Sequence, residues 1–299
     1  MLFDIIKVMD MYARICIVLL FILAHSVFAE ENMEPDQIMV YKTVANEMVG
    51  QAELSLHVFL PDGHQKTDQR PVIVFFFGGG WNGGSPNQFY PHSHYLASRG
   101  MVAISAEYRV KSRHGTSPQA CVKDGKSAIR WIRVHAHDLG IDPERLVAGG
   151  GSAGGHVAAA TATLEKFNEV GEDLTVSCRP QALVLFNPVY DNSMEGYGYD
   201  RVQDYWTDFS PMHNIDENTP PTIVFLGSQD KLIPTTTAEE YKKRMEDKGG
   251  RCDLHVYEGE GHGFFNYKNY ENYVATVIEM DKFLVSLGYL EGGPTLQNR

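Results

Sequence analysis

A serine at the apex of a glycine-rich turn, followed far downstream by an aspartate and a histidine in turn-rich loops, can do nucleophilic chemistry. The serine is Ser152, in Gly149-Gly150-Gly151-Ser152-Ala153-Gly154-Gly155-His156. A hydroxyl is a weak nucleophile at neutral pH and needs a base in hydrogen-bond contact. His262, in Gly259-Glu260-Gly261-His262-Gly263-Phe264-Phe265, is the candidate base. Asp230, in Gly227-Ser228-Gln229-Asp230-Lys231, is the candidate acid that orients the imidazole and stabilises its cation. Glu258 and Glu260 lie nearer to His262 in sequence, but Asp230 closely follows the apolar run that ends at Leu226-Gly227. A second element is Phe77-Gly78-Gly79-Gly80-Trp81. Attack on a carbonyl puts negative charge on its oxygen, and fixed N–H donors there are usually the largest catalytic term. The amides of Gly79, Gly80 and Ala153 are the candidate donors.

These groups are far apart in the chain, so a scaffold must gather them. Residues 39–44 and 53–60 read as strands, with Leu54, Leu56, Val58 and Leu60 alternating, and are expected to form an antiparallel edge. Residues 72–77 are apolar throughout, the pattern of a strand covered on both faces in a parallel sheet. Further strands are expected at 101–106, 146–148, 182–186, 222–226 and 253–257. Helices are expected after Ser152, where the small residues 157–162 follow, and at 118–138, 236–247 and 270–287. In the helix at 118–138, Ser117 is the N-cap, Pro118 takes the first position, and Cys121, Gly125, Ala128 and Ile132 form the apolar stripe. The last helix buries Tyr273, Val277, Met280, Leu284 and Leu287, with Gly288 beyond its end. Alternating strands and helices imply a doubly wound α/β sheet, in which reacting groups gather at the carboxyl ends of the strands. Ser152, Asp230, His262 and the 78–80 loop all follow expected strands.

Composition narrows the partners. The chain has 299 residues and a net charge of −12, with no basic stripe, which argues against nucleic acid. Arg14 precedes an apolar run at 15–24, and Val27-Phe28-Ala29 offers small residues at a cleavage site, so residues 1–29 read as an export signal and 30–299 as one catalytic domain. That run is shorter than the roughly 20 residues of a spanning helix, so an uncleaved anchor is the lesser alternative and no stable membrane insertion is expected after cleavage. Asp4 and Asp10 sit oddly in such a signal, which favours translation from Met11. The expected location is periplasmic or secreted. Cys121, Cys178 and Cys252 fit no zinc or redox spacing, and Cys121 and Cys252 read as core residues. The pairs His92/His94 and His135/His137 each lack a third ligand, so no metal is expected. His156 reads as a helix or surface residue rather than a second base.

The region from about 72 to 265 resembles the α/β-hydrolase superfamily, most closely its hormone-sensitive-lipase-like and feruloyl/acetyl-esterase-like branch. The matching pieces are Phe77-Gly78-Gly79-Gly80-Trp81, Glu107-Tyr108-Arg109, Asp142-Pro143-Glu144-Arg145, Gly151-Ser152-Ala153-Gly154-Gly155, the Asp230 turn and Gly261-His262-Gly263-Phe264. The resemblance implies an α/β-hydrolase fold, a mostly parallel doubly wound sheet of about eight strands flanked by helices, with the triad Ser152, Asp230 and His262. Three positions depart from the family pattern. Phe77 stands where the family usually has His, Gly151 where the lipase-like branch often has Asp, and Glu107 where Asp is usual. Little sequence precedes residue 72, so no large cap is expected. The implied activity is a serine esterase without cofactor, acting on short-chain esters, with acetyl or feruloyl esters of carbohydrates as the plausible class. A kynurenine-formamidase-like amidase and a non-catalytic binding protein on the same fold are the alternatives. The aromatic segment 190–212 forms either a pocket wall or its own packing. Trp81, Tyr205 and Trp206 are the candidate substrate-binding residues.

Overall fold

The computed structural model describes residues 33–296. The export segment expected over 1–29 lies outside them, as does the start of the expected domain at 30. No described helix is long and apolar enough to cross a membrane.

The strands are β1 (Gln37–Asn46), β2 (Gly50–Phe59), β3 (Arg70–Phe76), β4 (Val102–Ala106), β5 (Ile141–Gly151), β6 (Ala182–Phe186), β7 (Thr222–Gly227) and β8 (Cys252–Tyr257). They form one eight-stranded sheet in the order β1-β2-β4-β3-β5-β6-β7-β8. The pairs β1·β2 and β2·β4 are antiparallel and the rest parallel. The helices are α1 (Tyr90–Ser98), α2 (Lys111–His114), α3 (Pro118–Val134), α4 (Ala153–Thr163), α5 (Trp206–Phe209), α6 (Thr235–Asp247) and α7 (Tyr270–Ser286).

Strand periodicity divides the core between the two faces of the sheet. Val72, Val74 and Phe76 of β3 join Ala128 and Ile132 of α3, Val157 of α4 and Tyr241 of α6 on one face. Ile73 and Phe75 join Leu96 of α1 and Val277 of α7 on the other. A strand buried on both faces has no position left for a polar side chain, which is why β3 reads as an unbroken apolar run.

Helix α1 and strand β5 differ most from their sequence reading; the four-residue α2 and α5 were not expected either, and α3 ends at Val134 rather than 138. Helix α1 is hard to see in sequence because Pro91 and His92-Ser93-His94 look like a polar loop. Pro91 falls in its first turn, where proline is tolerated. His92 is fully buried among the rings of Phe89, Phe186 and Tyr273. Burial pushes its imidazole down to about 3, so it is a neutral core residue. Strand β5 begins at Ile141, well before the apolar stretch, because Arg70 of β3 pairs with Ile141 ahead of a register shift. At the start of α3, Ser117 holds the N-cap position, but its side chain makes no cap hydrogen bond.

The motif Glu107-Tyr108-Arg109 ties layers together. The Glu107 carboxylate accepts from the Ser55 amide of β2 at 3.0 Å. The Arg109 guanidinium forks onto the buried Asp124 of α3 at 2.7 and 2.8 Å, and also reaches Glu169 at 2.8 Å. Lys42 of β1 completes the cluster, 2.7 Å from both Asp124 and Glu169. Edge strand, core helix and surface loop are thereby joined by paired charges, and losing one member strands the others.

Burial alone would raise the Glu169 carboxyl, but Lys42 and Arg109 outweigh it and hold it at about 2. Its contribution to stability is complete above the ordinary value of 4.5 and is lost as the pH falls toward about 2. Glu169→Gln is therefore expected to lower the melting temperature at neutral pH by about 2–6 °C. The gap to the parent protein should hold to about pH 5 and close toward pH 2. Thermal melts followed by circular dichroism over that range check this; a gap independent of pH rules out the ion-pair account.

Candidate active site

Strand β5 runs directly into the turn that carries Ser152, and α4 leaves it. Ser152 has φ 54° and ψ −120°, a conformation that costs an L-residue about 1–3 kcal/mol. The surroundings hold it there. Its N–H donates to the Phe186 carbonyl at 2.9 Å, and its own carbonyl accepts from Val189 and His156, each at 3.1 Å. A Cβ on Gly154 would strike the carbonyl oxygens of Phe76 and Phe77, so only glycine lets α4 approach β3 this closely. At Gly151 a Cβ would come within 2.5 Å of the Phe265 ring, which leaves no room for the aspartate usual at that place.

Above this turn, His262 Nε2 lies 2.9 Å from Ser152 Oγ and Nδ1 lies 2.7 Å from Asp230 Oδ2. The Asp230 side chain is fully buried. Its second oxygen accepts the Leu232 and Ile233 amides at 2.8 and 3.0 Å. An acceptor at Nδ1 places the imidazole proton there and leaves Nε2 able to take the serine proton. Glu258 and Glu260 do not pair with His262 among the described residues; Asp230 is the carboxylate in contact. The Gln229 amide donates to the Glu260 carbonyl at 2.8 Å and pins the aspartate turn to the histidine loop.

The glycine loop abuts the serine turn. A Cβ on Gly78 would lie 3.1 Å from the Gly151 carbonyl and 3.4 Å from Ser152 Cβ. Gly79 has φ +129°, open only to glycine, and Gly80 has φ +62°. Among the described residues, the amides of Gly79, Gly80 and Ala153 donate to no protein acceptor. Phe77 is buried and stacks on Tyr108 at 4.2 Å, and the Tyr108 hydroxyl donates to the Phe77 carbonyl at 2.5 Å. Ring stacking and that hydrogen bond anchor the loop at the position where the family usually carries histidine.

The sequence reading missed the side-chain amides that join these loops. Gln88 Oε1 accepts from the Gly78 amide at 2.6 Å, and Gln88 Nε2 donates to Asn266 Oδ1 at 2.9 Å. Asn266 Nδ2 donates to the Gly263 carbonyl at 2.7 Å, and the Gly263 amide donates to Asn187 Oδ1 at 2.9 Å. Both peptide groups flanking His262 on its C-terminal side are thus held. Asn187 had a visible signal, since it directly follows the end of β6. Gln88 and Asn266 had none, being 178 residues apart.

The pocket candidates divide. Trp81 is buried but lines a cavity beside Gly80, together with Tyr197 and Arg201. Tyr205 packs against Phe167 and Phe209, and Trp206 meets the His213 ring edge-on. Neither lines that cavity, so the segment 190–212 does both: Tyr205 and Trp206 pack its own loop, while Tyr197 and Arg201 supply the wall. His156 is a fully buried α4 residue, not a surface one. Its Nε2 meets the Phe209 carbonyl at 2.9 Å, and burial pushes it down to about 3. Cys121, Cys178 and Cys252 are free thiols. Among the described residues, no group of three or more His, Cys, Asp or Glu could hold a metal ion.

A strand–serine turn–helix on a mostly parallel eight-stranded sheet is the architecture of the α/β-hydrolases. Residues 56–195 match the BD-FAE family and residues 187–282 the dienelactone hydrolase family. Thermogutta terrifontis esterase 2 in its butyrate-bound structure is 42% identical, with a TM-score of 0.81, covering 87% of this chain and 98% of that one. The same esterase phosphorylated by paraoxon is 43% identical, with a TM-score of 0.80, covering 86% and 95%. Esterase LipC of Mycobacterium tuberculosis is 28% identical over 66% of this chain and 54% of its own length. An acetylxylan esterase of Xylanibacter ruminicola is 26% identical over 64% and 41%. This chain spans about half the length of these curated relatives. It belongs to the esterase family of the α/β-hydrolases.

If the Gln88–Asn266 contact couples the two loops, Gln88→Ala and Asn266→Ala should each lower kcat on 4-nitrophenyl butyrate by about tenfold or more, with little change in KM. The double variant should then cost hardly more than either single change. Steady-state kinetics of the four proteins check this. Losses that simply multiply mean that the residues act independently.

Proposed function

We propose that this protein is an exported serine esterase that cleaves short-chain carboxylic esters through an acyl-enzyme. The observation that carries this reading is the single imidazole in hydrogen-bond contact with both Ser152 Oγ and Asp230 Oδ2. In this reading Ser152 Oγ attacks the ester carbonyl while His262 Nε2 takes its proton. The amides of Gly79, Gly80 and Ala153 receive the oxyanion. The intermediate collapses, and His262 returns the proton to the departing alcohol. Water, deprotonated by the same nitrogen, then releases the acid and restores the hydroxyl. Asp230 stays ionised and stabilises the imidazolium throughout.

Support for a short acyl group comes from the similar Thermogutta esterase, solved with propionate and with butyrate bound. Acetyl or feruloyl esters of carbohydrates are the finer proposal, supported by the likeness to an acetylxylan esterase. Export rests on Arg14, the apolar run at 15–24 and Val27-Phe28-Ala29. Sequencing the N-terminus of the exported protein tests it, since a mature chain starting well before Glu30 contradicts cleavage.

The activity test is hydrolysis of 4-nitrophenyl esters of increasing acyl length. Acetyl and butyryl esters should turn over fastest. Ser152→Ala should lose about 10⁴-fold or more in kcat, and Asp230→Asn a comparable factor. Paraoxon should add one diethylphosphoryl group by mass spectrometry, with 4-nitrophenolate released, and none to Ser152→Ala. Turnover of an aryl formamide with no ester hydrolysed would reverse the reading in favour of an amidase. Activity that survives Ser152→Ala would remove the acyl-enzyme.

A further inference from the structure

We propose that the cavity bordering Gly80 is a subsite for a carboxylate carried by the ester substrate; the proposal rests on the esterase reading above. The cavity has a volume of about 510 Å³, and its lining includes Gly80, Trp81, Lys111, Thr116, Tyr197 and Arg201. Among the described residues its only charged lining residues are Lys111 and Arg201, with no Asp or Glu. This runs against the chain as a whole, which carries 38 acidic and 26 basic residues. Neither cation pairs with a carboxylate among the described residues. Most of this protein's arginines are paired, as Arg99, Arg109, Arg130 and Arg179 show.

Arg201 is held in place without being neutralised. Its guanidinium lies 4.8 Å from the centre of the Trp81 ring and 5.1 Å from that of Tyr197. Nη1 donates to the Gly80 carbonyl at 2.6 Å. Nε and Nη2 have no protein acceptor among the described residues. A guanidinium already fixed by stacking loses little entropy on taking a carboxylate through its remaining donors. The same hydrogen bond joins the subsite to Gly80, the residue whose N–H is assigned to the oxyanion.

The rest of the lining also donates. The 17-residue α3 begins here, with Ser117 and Pro118 on the cavity wall. The Ser117 side chain makes no cap hydrogen bond, but the Ala120 amide bonds back to the Ser117 carbonyl at 3.1 Å, so the helix brings its dipole to the cavity rather than a row of free amides. Two buried donors from lining residues, the Trp81 indole N–H and the Thr116 hydroxyl, have no partner among the described residues. Trp81 is 1% exposed, and a buried donor without an acceptor is costly. Two cations and a helix N-terminus around a space without acids form a receptor for an anion, with two unpaired donors buried in its walls. The Trp81 and Tyr197 rings add surface for the group that bears it.

The test uses isosteric pairs that differ by one charge. On the alcohol side these are 4-acetoxybenzoate and 4-acetoxybenzamide. On the acyl side they are 4-nitrophenyl hydrogen succinate and 4-nitrophenyl succinamate. In at least one pair the anion should have the higher kcat/KM, by about tenfold or more and mainly through KM. Lys111→Gln and Arg201→Gln should each cut that ratio severalfold, as should about 0.5 M sodium chloride. A ratio at or below one in both pairs overturns the subsite, as does a ratio that neither substitution moves. If all four compounds and 4-nitrophenyl butyrate resist hydrolysis, the esterase reading fails by itself. Calorimetric titration with 4-acetamidobenzoate and 4-acetamidobenzamide then decides the subsite. Tighter binding of the carboxylate, lost in Lys111→Gln, supports it, and equal binding overturns it.

Discussion

The backbone contact between α4 and β3 is the constraint on which the rest of the site depends. Ser152 sits at a positive φ that an isolated chain would leave. It stays because Gly154 brings the helix against the Phe76 and Phe77 carbonyls, where a methyl group has no room. The Ser152 N–H is also claimed by Phe186 of the neighbouring strand. The strain is thus offset by the packing of a central sheet buried on both faces, and the hydroxyl is held at the sheet edge before any ligand arrives. The same close approach seats the 78–80 loop beside the serine, since Gly78 lies against Gly151 and Ser152.

Three separate loops meet that serine, and loops are usually the least rigid parts of a fold. Here their backbones are tied to one another. The Gln88 side chain holds the glycine loop, those of Asn266 and Asn187 hold Gly263, and the Gln229 backbone N–H holds Glu260. Amide side chains suit this work because each offers a donor and an acceptor and carries no charge to perturb the imidazole. Charged groups do their structural work elsewhere. The Lys42–Asp124–Arg109–Glu169 cluster lies with β1 and α3, and the buried His92 and His156 are neutral in any ordinary buffer.

The family pattern at Phe77 and Gly151 shows how such a site changes without losing its frame. A histidine could support the glycine loop by hydrogen bonding; Phe77 is instead fixed by the Tyr108 ring and by a hydrogen bond to its own carbonyl. At Gly151 the space that an aspartate would need is taken by Phe265, itself part of the aromatic core beneath the histidine loop. Each departure is matched by a neighbour that fills or holds the same place.

The strand and helix pattern was legible because burial writes itself into spacing. Residues 72–77 could only be a doubly covered strand, and 182–186 and 222–226 were found nearly to the residue. The elbow was equally plain, because backbone approach at Gly150 and Gly154 and the strained turn leave few other residues acceptable. Helix α1 was not, since its polar-looking histidine is buried by rings from β6 and α7 that no local window contains. Nor could spacing distinguish Tyr205 and Trp206, which pack their own loop, from Tyr197, which lines the cavity. By itself the sequence determined the class of sheet and the candidate residues at its carboxyl edge, since both follow from periodicity and local backbone geometry. Only the tertiary structure decided which acid meets His262, which amides join its loop to Gly78, and which cations go unpaired beside Gly80. Those contacts span many tens of residues and depend on how loops pack across the sheet, which local pattern does not encode.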